Sequence, residues 1–243
     1  MPALHVGTPH FCYHARMDTI FYRDTRGLDT MPRTFTDTVV KGIAPGGGLY
    51  VPERLPALAL DEIVGLAGLS YAERAARIYG LFGVDVHPEQ VDHLMVRAYG
   101  ENFDHPAVAP VIEVRSGVHV LELWHGPTSA FKDMALQCIP LFFSEAISMR
   151  LAAGEHIDDY LVLVATSGDT GKAALEGFAD REHTRVAVFY PAGGVSVIQR
   201  EQMFTQRVAN VAVFGVRVKF DDCQHAGKPS LNDAAFNGYI HDP

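Results

Sequence analysis

Apolar and polar positions follow two different rhythms along this chain, and the change falls near residues 101–115. Before it, in residues 19–100, short helical periods closed by glycine predict a small mixed, mainly helical unit. IFYRDTRG predicts a short strand running into a Gly turn, and residues 34–42 a short helix capped by Gly42. The glycines of APGGGLYVPE must be loop before the brief strand LYVP. SYAERAARIYGLFG has apolar residues at helical spacing and ends at Gly83. HPEQVDHLMVRAYG repeats the grammar, with Pro88 at a first helical position and Gly100 past the end.

The stretch 101–115, with two prolines and little periodicity, reads as a boundary or crossover. Beyond it VHVLELW (118–124) predicts a strand, and residues 129–153 a long helix kinked at Pro140. YLVLVAT (160–166) is apolar throughout, as a strand buried on both faces should be. A helix KAALEGFADRE, a strand RVAVFYP (185–191), a helix from Ser196 and a strand NVAVFGVRV (210–218) follow. Strand and helix in short alternation predict an α/β fold with a parallel sheet over residues 101–224. Residues 1–18 read as an unordered extension, and 225–243 as an irregular tail.

Composition narrows the class. At 48% hydrophobic and 20% charged residues over 243 positions, the chain is globular and core-forming. Its net charge of −9, from 20 basic and 29 acidic residues, argues against nucleic acid or an anionic membrane as partner. A small anionic substrate stays open. Cys12, Cys138 and Cys223 form no CxxC pair, which excludes a disulfide framework and fits a reducing cytosol. MPALHVGTPHFCYHARM lacks the basic and apolar regions of a signal peptide, and no apolar run is long enough for a membrane span. A soluble, cytoplasmic chain is expected. His5, His10, Cys12 and His14 match no metal-ligand spacing, and no metal is expected.

Three stretches carry chemistry. In LWHGPTSAFKDMALQ (123–137), Lys132 falls in the first turn of the predicted long helix. The helix N-terminus disfavours a cation there by roughly 0.3–1 kcal/mol. Phe131 and Met134 would desolvate it too, so a lowered pKa is expected, with Asp133 opposing the shift if it points the same way. A neutral lysine amine can form a Schiff base with an aldehyde. The alternative is a snorkelling surface lysine. In ATSGDTGKAA (165–174), a strand end, a Gly-rich loop and a helix start bring N–H groups together, either to bind an anion or as an ordinary tight turn. It is not a P-loop, which needs Gly at Thr166 and Ser or Thr at Ala173.

YPAGGVSVIQREQM (190–203) repeats the arrangement, with Ser196 and Gln199 at capping-box spacing, which need be no more than helix punctuation. Ligands in parallel α/β sheets lie beyond the carboxyl ends of the strands, and all three stretches are expected there. An amine and two N–H-rich loops on one rim describe a site for an aldehyde cofactor and an anionic substrate.

These segments resemble a known family. LWHGPTSAFKDMALQ resembles the lysine motif of threonine synthases, HGPT followed by AFKD; ATSGDTGKAA resembles their TSGDTG-x-A loop, and PAGGVSVIQREQM their Ser-x-x-Gln segment. YRDTRG and KGIAPGGGLYVPERLP resemble the opening of the family's small N-terminal domain, and FDDCQ at 220–224 a downstream marker. The resemblance runs from about residue 20 to about residue 224, with every motif in family order. It implies a pyridoxal-phosphate-dependent carbon–oxygen lyase of the tryptophan-synthase-β-like fold (PLP fold type II). Such an enzyme converts O-phospho-L-homoserine and water to L-threonine and phosphate in threonine biosynthesis.

By the same resemblance Lys132 binds pyridoxal 5'-phosphate and moves protons, and Asp169 lies beside the cofactor ring. Thr166, Ser167, Gly168 and Thr170 hold the substrate carboxylate. Residues 225–243 match neither family segment expected after residue 224, one of which holds the cofactor phosphate, and Val218-Lys219 replaces the pair usual before the FDD marker. The chain is therefore expected to be an amino-terminal portion with the second lobe largely absent and weak or no turnover alone. The partners expected are a second copy in a homo-oligomer or a complementing C-terminal half. The other reading is a non-catalytic remnant that associates with a full-length homologue.

Overall fold

Helix α6, Ile139–Ala152, buries residues around most of its circumference, and two separate cores form against it. A helix so apolar is stable only when it is surrounded. Leu141 and Phe142 belong to one core, Phe143 and Ile147 to the other. The computed structural model describes residues 19–206 and 208–217. The expectations for residues 1–18, for Val218-Lys219, for FDDCQ and for the tail 225–243 lie outside the described residues, as do Cys12 and Cys223.

The first core gathers α3 (Tyr71–Leu81), α4 (Pro88–Ala98) and α6. α4 opens on Pro88, as expected, because proline lacks only an N–H that the first turn cannot use. Helix α1 (Phe35–Lys41), ended by Gly42, lies along α6 and is tied to it by Arg150–Asp37 at 2.8 Å. The Phe142 ring meets Phe35 at 5.0 Å and Tyr79 at 4.8 Å between centroids. Strands β1 (Tyr22–Asp24) and β2 (Tyr50–Pro52) pair antiparallel beside it. Helix α2 (Leu60–Leu66) was not expected. Its cap, Ala59, has no side-chain acceptor, and Leu60, Ile63 and Val64 stay exposed, so neither cap nor buried stripe announces it.

The second core joins α6 to a three-stranded parallel sheet. Its order is β5 (Tyr160–Ala165), β6 (Thr184–Pro191) and β7 (Val211–Val216), with Val162 beside Val186 and Val186 beside Val211. Helices α7 (Asp169–Phe178) and α8 (Val197–Phe204) connect the strands. The Asn210 side chain closes the far end of α7: it donates to Phe178 O at 2.9 Å and accepts from Asp180 N at 3.0 Å. The fold is thus α/β with a parallel sheet after a mixed, mainly helical region.

Two expectations need correction. VHVLELW is no member of that sheet: β3 (Val111–Arg115) and β4 (Val118–Leu121) form a separate antiparallel hairpin, exposed along its length. Gly117 turns the chain between them with φ 73°, so the strand finds its partner a few residues upstream. The long helix 129–153 is not kinked at Pro140 but broken before it, into α5 (Asp133–Leu136) and α6. Proline cannot share a ladder with the residue four before it, and here it starts the new helix. Helix α7 also begins three residues earlier than expected, at Asp169.

Because Phe142 is 1% exposed and is packed by two rings, Phe142→Ala is expected to lower unfolding free energy by about 3–5 kcal/mol. Urea unfolding of both proteins measures it.

Candidate active site

The segment between hairpin and helix, residues 122–132, owes its shape to Asp133. That carboxylate is fully buried. One oxygen accepts from Thr128 N at 2.9 Å, the other from Thr128 Oγ1 at 2.7 Å, with Ala130 N at 3.4 Å. A buried charge is tolerable only with its lone pairs filled, and here the loop fills them. Gly126 is the matching requirement: a Cβ there would overlap the Asp133 side chain. The bend also holds Ser129 at φ 53°, a conformation that non-glycine residues seldom adopt.

Lys132 stands next to this lock, as the N-cap of α5. The long helix and apolar walls expected around it are not its surroundings. α5 is four residues long, Phe131 is 55% exposed, and Met134 packs toward the first core. Asp133 does not point at the amine, since the loop occupies both its oxygens. Nor does Lys132 follow a strand of the parallel sheet, because β4 belongs to the hairpin. The amine is also unpaired. Among the described residues no carboxylate lies within ion-pair distance of its Nζ, which sits 4.7 Å from the Phe131 ring.

The SGDTG loop does follow a parallel strand, β5. Thr166 is buried, and its Oγ1 accepts from both Gly168 N and Gly171 N at 2.9 Å. Thr166 and the Gly168 N–H are therefore spent on shaping the loop. Gly168 has φ 140°, and a Cβ on it would run into the Gln199 side chain. Ser167 is exposed, and Thr170 lies in the first turn of α7. The N–H groups of Ser167, Asp169 and Thr170 have no acceptor among the described residues, so the helix start keeps donors free for an anion.

Asp169 is the meeting point. Gln199 Nε2 donates to its Oδ1 at 3.0 Å, and Lys172 Nζ lies 3.1 Å from the same oxygen. The Gln199 hydrogen bond, against partial burial, holds the Asp169 carboxyl below the usual carboxylate range, and Lys172 and then the charge of Lys132 add to it. Lys132 and the loop thus share one electrostatic neighbourhood. Helix α5 packs on α7, and Gln202 Nε2 of α8 reaches Thr128 O at 3.5 Å.

Two contributors were not foreseen. Gln199 closes the expected capping box with Ser196 and also binds Asp169. Lys172, 7% exposed in its side chain, pairs with Asp169 one turn back. The i,i+3 spacing of Asp169 and Lys172 was the available signal. Cys138 is buried, and its thiol is pushed up to about 11 by burial, which suits packing and not nucleophilic work. No metal-ligand group is found among the described residues.

Residues 21–99 match the family model described as the threonine synthase N terminus. Threonine synthase of Pseudomonas aeruginosa is 38% identical over 216 residues, 88% of this chain and 44% of that protein. Threonine synthase-like 1 of Mus musculus is 38% identical over 217 residues, 86% of this chain but 28% of that protein. The PLP-bound threonine synthase of Brucella melitensis superposes with a TM-score of 0.79 at 34% identity, covering 90% of this chain and 46% of that one. The yeast threonine synthase structure gives 0.80 at 33%, covering 89% and 44%. The chain spans less than half the length of the relatives it matches.

Thr128→Val would strand a buried Asp133 oxygen, and about 1–3 kcal/mol of unfolding free energy should be lost in a urea titration.

Proposed function

We propose that this chain, which belongs to the threonine synthase family and matches its amino-terminal portion, carries the lysine-bearing part of a pyridoxal-phosphate-dependent lyase site. The reaction is the formation of L-threonine and phosphate from O-phospho-L-homoserine and water. The observation that carries this reading is the unpaired Lys132 amine, whose charge reaches an Asp169 carboxylate already occupied by Gln199 and Lys172.

The residues present fit the aldehyde end of pyridoxal 5'-phosphate. Joining an aldehyde requires an amine free of a carboxylate partner, and Lys132 meets that condition where Lys172 does not. When bound, the cofactor supplies an electron sink for charge left at a substrate carbon. In this reading Lys132 Nζ attaches it and moves the protons at the substrate's Cα and Cβ. Asp169, held ionised, offers an acceptor beside the cofactor ring. The free N–H groups of Ser167, Asp169 and Thr170, with the two hydroxyls, bind the substrate carboxylate. Thr166 and Gly168 serve at one remove by fixing the loop.

The cofactor-phosphate cradle is assigned to residues corresponding to the relatives' other half. These belong to a longer form of the chain or to a complementing C-terminal subunit. A small-molecule substrate, rather than nucleic acid or membrane, agrees with the acidic charge. No described helix is long and apolar enough to cross a membrane, and a cytoplasmic location is part of the proposal.

Borohydride reduction with added pyridoxal 5'-phosphate, followed by peptide mapping, tests the reading. Label is expected on Lys132 and little on Lys172, whose nitrogen is buried against Asp169. Label on the exposed Lys41 as heavy as on Lys132 overturns it. This polypeptide alone is expected to form little or no threonine.

A further inference from the structure

His125, the histidine of HGPT, takes no part in the site chemistry above, yet its ring is held from both sides. Nδ1 lies 2.6 Å from Asp104 Oδ1, and Nε2 lies 2.8 Å from Glu122 Oε2. A neutral imidazole has one N–H and one lone pair. A lone pair aimed at a carboxylate oxygen at either distance is repulsive, so both contacts are hydrogen bonds only when the ring carries both protons. The backbone adds two ties nearby: Asp104 N donates to His125 O at 2.9 Å, and Glu122 N to Pro110 O at 3.0 Å. The His125 side chain is 13% exposed, so solvent screens these contacts only in part.

We propose that His125 is a positioning residue, an imidazolium strapped between Asp104 and Glu122 that fixes where the lysine-bearing segment 125–132 leaves the hairpin. Three pieces of chain meet at this ring: the 101–110 segment, the end of β4 and the start of the lysine segment. The next residue is Gly126, whose carbonyl accepts Ser129 N at 2.9 Å and whose missing side chain makes room for Asp133. A shift at His125 is therefore passed directly to the Asp133 lock, and from there to Lys132.

The charged and titratable groups facing the ring are Glu122, Asp104 and His105, whose ring centroid is 5.0 Å away; the Trp124 ring lies at 5.8 Å. His105 Nδ1 accepts from Ala107 N at 3.1 Å, which places the proton of its neutral ring on Nε2. Glu122 first, then Asp104, raise the His125 pKa above the ordinary histidine value, against partial desolvation. A raised pKa means that the strap's contribution is full below the ordinary value. It is lost as pH rises through the raised one.

The test uses the full chain. Long-range proton–nitrogen NMR of the His125 ring should show both nitrogens protonated at neutral pH and a titration midpoint above that of an ordinary histidine. The midpoint should fall in Asp104→Asn and fall further in Glu122→Gln. A neutral ring at pH 7, or a midpoint unmoved by both variants, overturns the proposal. Amide exchange of Thr128, whose N–H is held by Asp133, should quicken roughly tenfold in His125→Gln, the loss of about one net hydrogen bond, with α4 amides unchanged. Asp104 is 77% exposed in its side chain, so Asp104→Asn leaves the fold intact and should quicken Thr128 by a smaller factor. Unchanged Thr128 exchange in both variants also overturns the proposal.

Only the link to catalysis rests on the proposed function, and reductive labelling separates the two. If Lys132 takes no label in the unaltered protein, the functional reading fails while exchange and titration still decide the strap.

Discussion

A single carboxylate without solvent contact, that of Asp133, decides the shape of the lysine-bearing segment. Its oxygens gather Thr128 N, Thr128 Oγ1 and Ala130 N, and so convert a Gly-Pro turn into a fixed bend. The neighbouring residue is Lys132. Because Asp133 is occupied by the loop, it cannot neutralise the amine beside it, and the amine is left without a carboxylate partner among the described residues. A short sequence motif thus joins two opposite requirements: a buried charge that is fully bonded, and an adjacent nitrogen that is not.

The parallel sheet supplies the other side of the site. Loops after β5 and β6 meet where Gln199, itself fixed by the Ser196 capping box, reaches Asp169. Asp169 has two close donors already, Gln199 and Lys172, so its charge does not depend on Lys132. An amine and a carboxylate can then share a neighbourhood without collapsing into a pair. Helix α6 keeps this arrangement in register with the rest of the fold, since it packs the sheet with Phe143 and the α3–α4 core with Phe142.

Much of this was legible in the sequence where the signal was local. The apolar run of β5, the Gly-rich loop after it and Pro88 at the start of α4 each dictate a backbone outcome within a few residues. What failed was partner choice. VHVLELW has strand character, but only tertiary context decides between a distant parallel neighbour and the adjacent antiparallel one. Pro140 announced an interruption without saying that a helix would end four residues earlier. Lys132 was singled out by its motif, whereas the dipole and apolar walls invoked for it presupposed a long helix that does not form. The second bond of Gln199 was invisible because side-chain pairing across two loops leaves little periodic trace, whereas the i,i+3 spacing of Asp169 and Lys172 could have announced their pair.

The central claim is that Lys132 and Asp169 face the same neighbourhood without forming an ion pair. It is tested most directly by following the Asp169 carboxyl carbon by NMR through an acid titration, in the unaltered chain and in Lys132→Met. A midpoint below the ordinary carboxylate value is expected, moving upward when the lysine charge is removed, with Gln199 and Lys172 still holding it below the ordinary value. An Asp169 midpoint identical in the two proteins would contradict it.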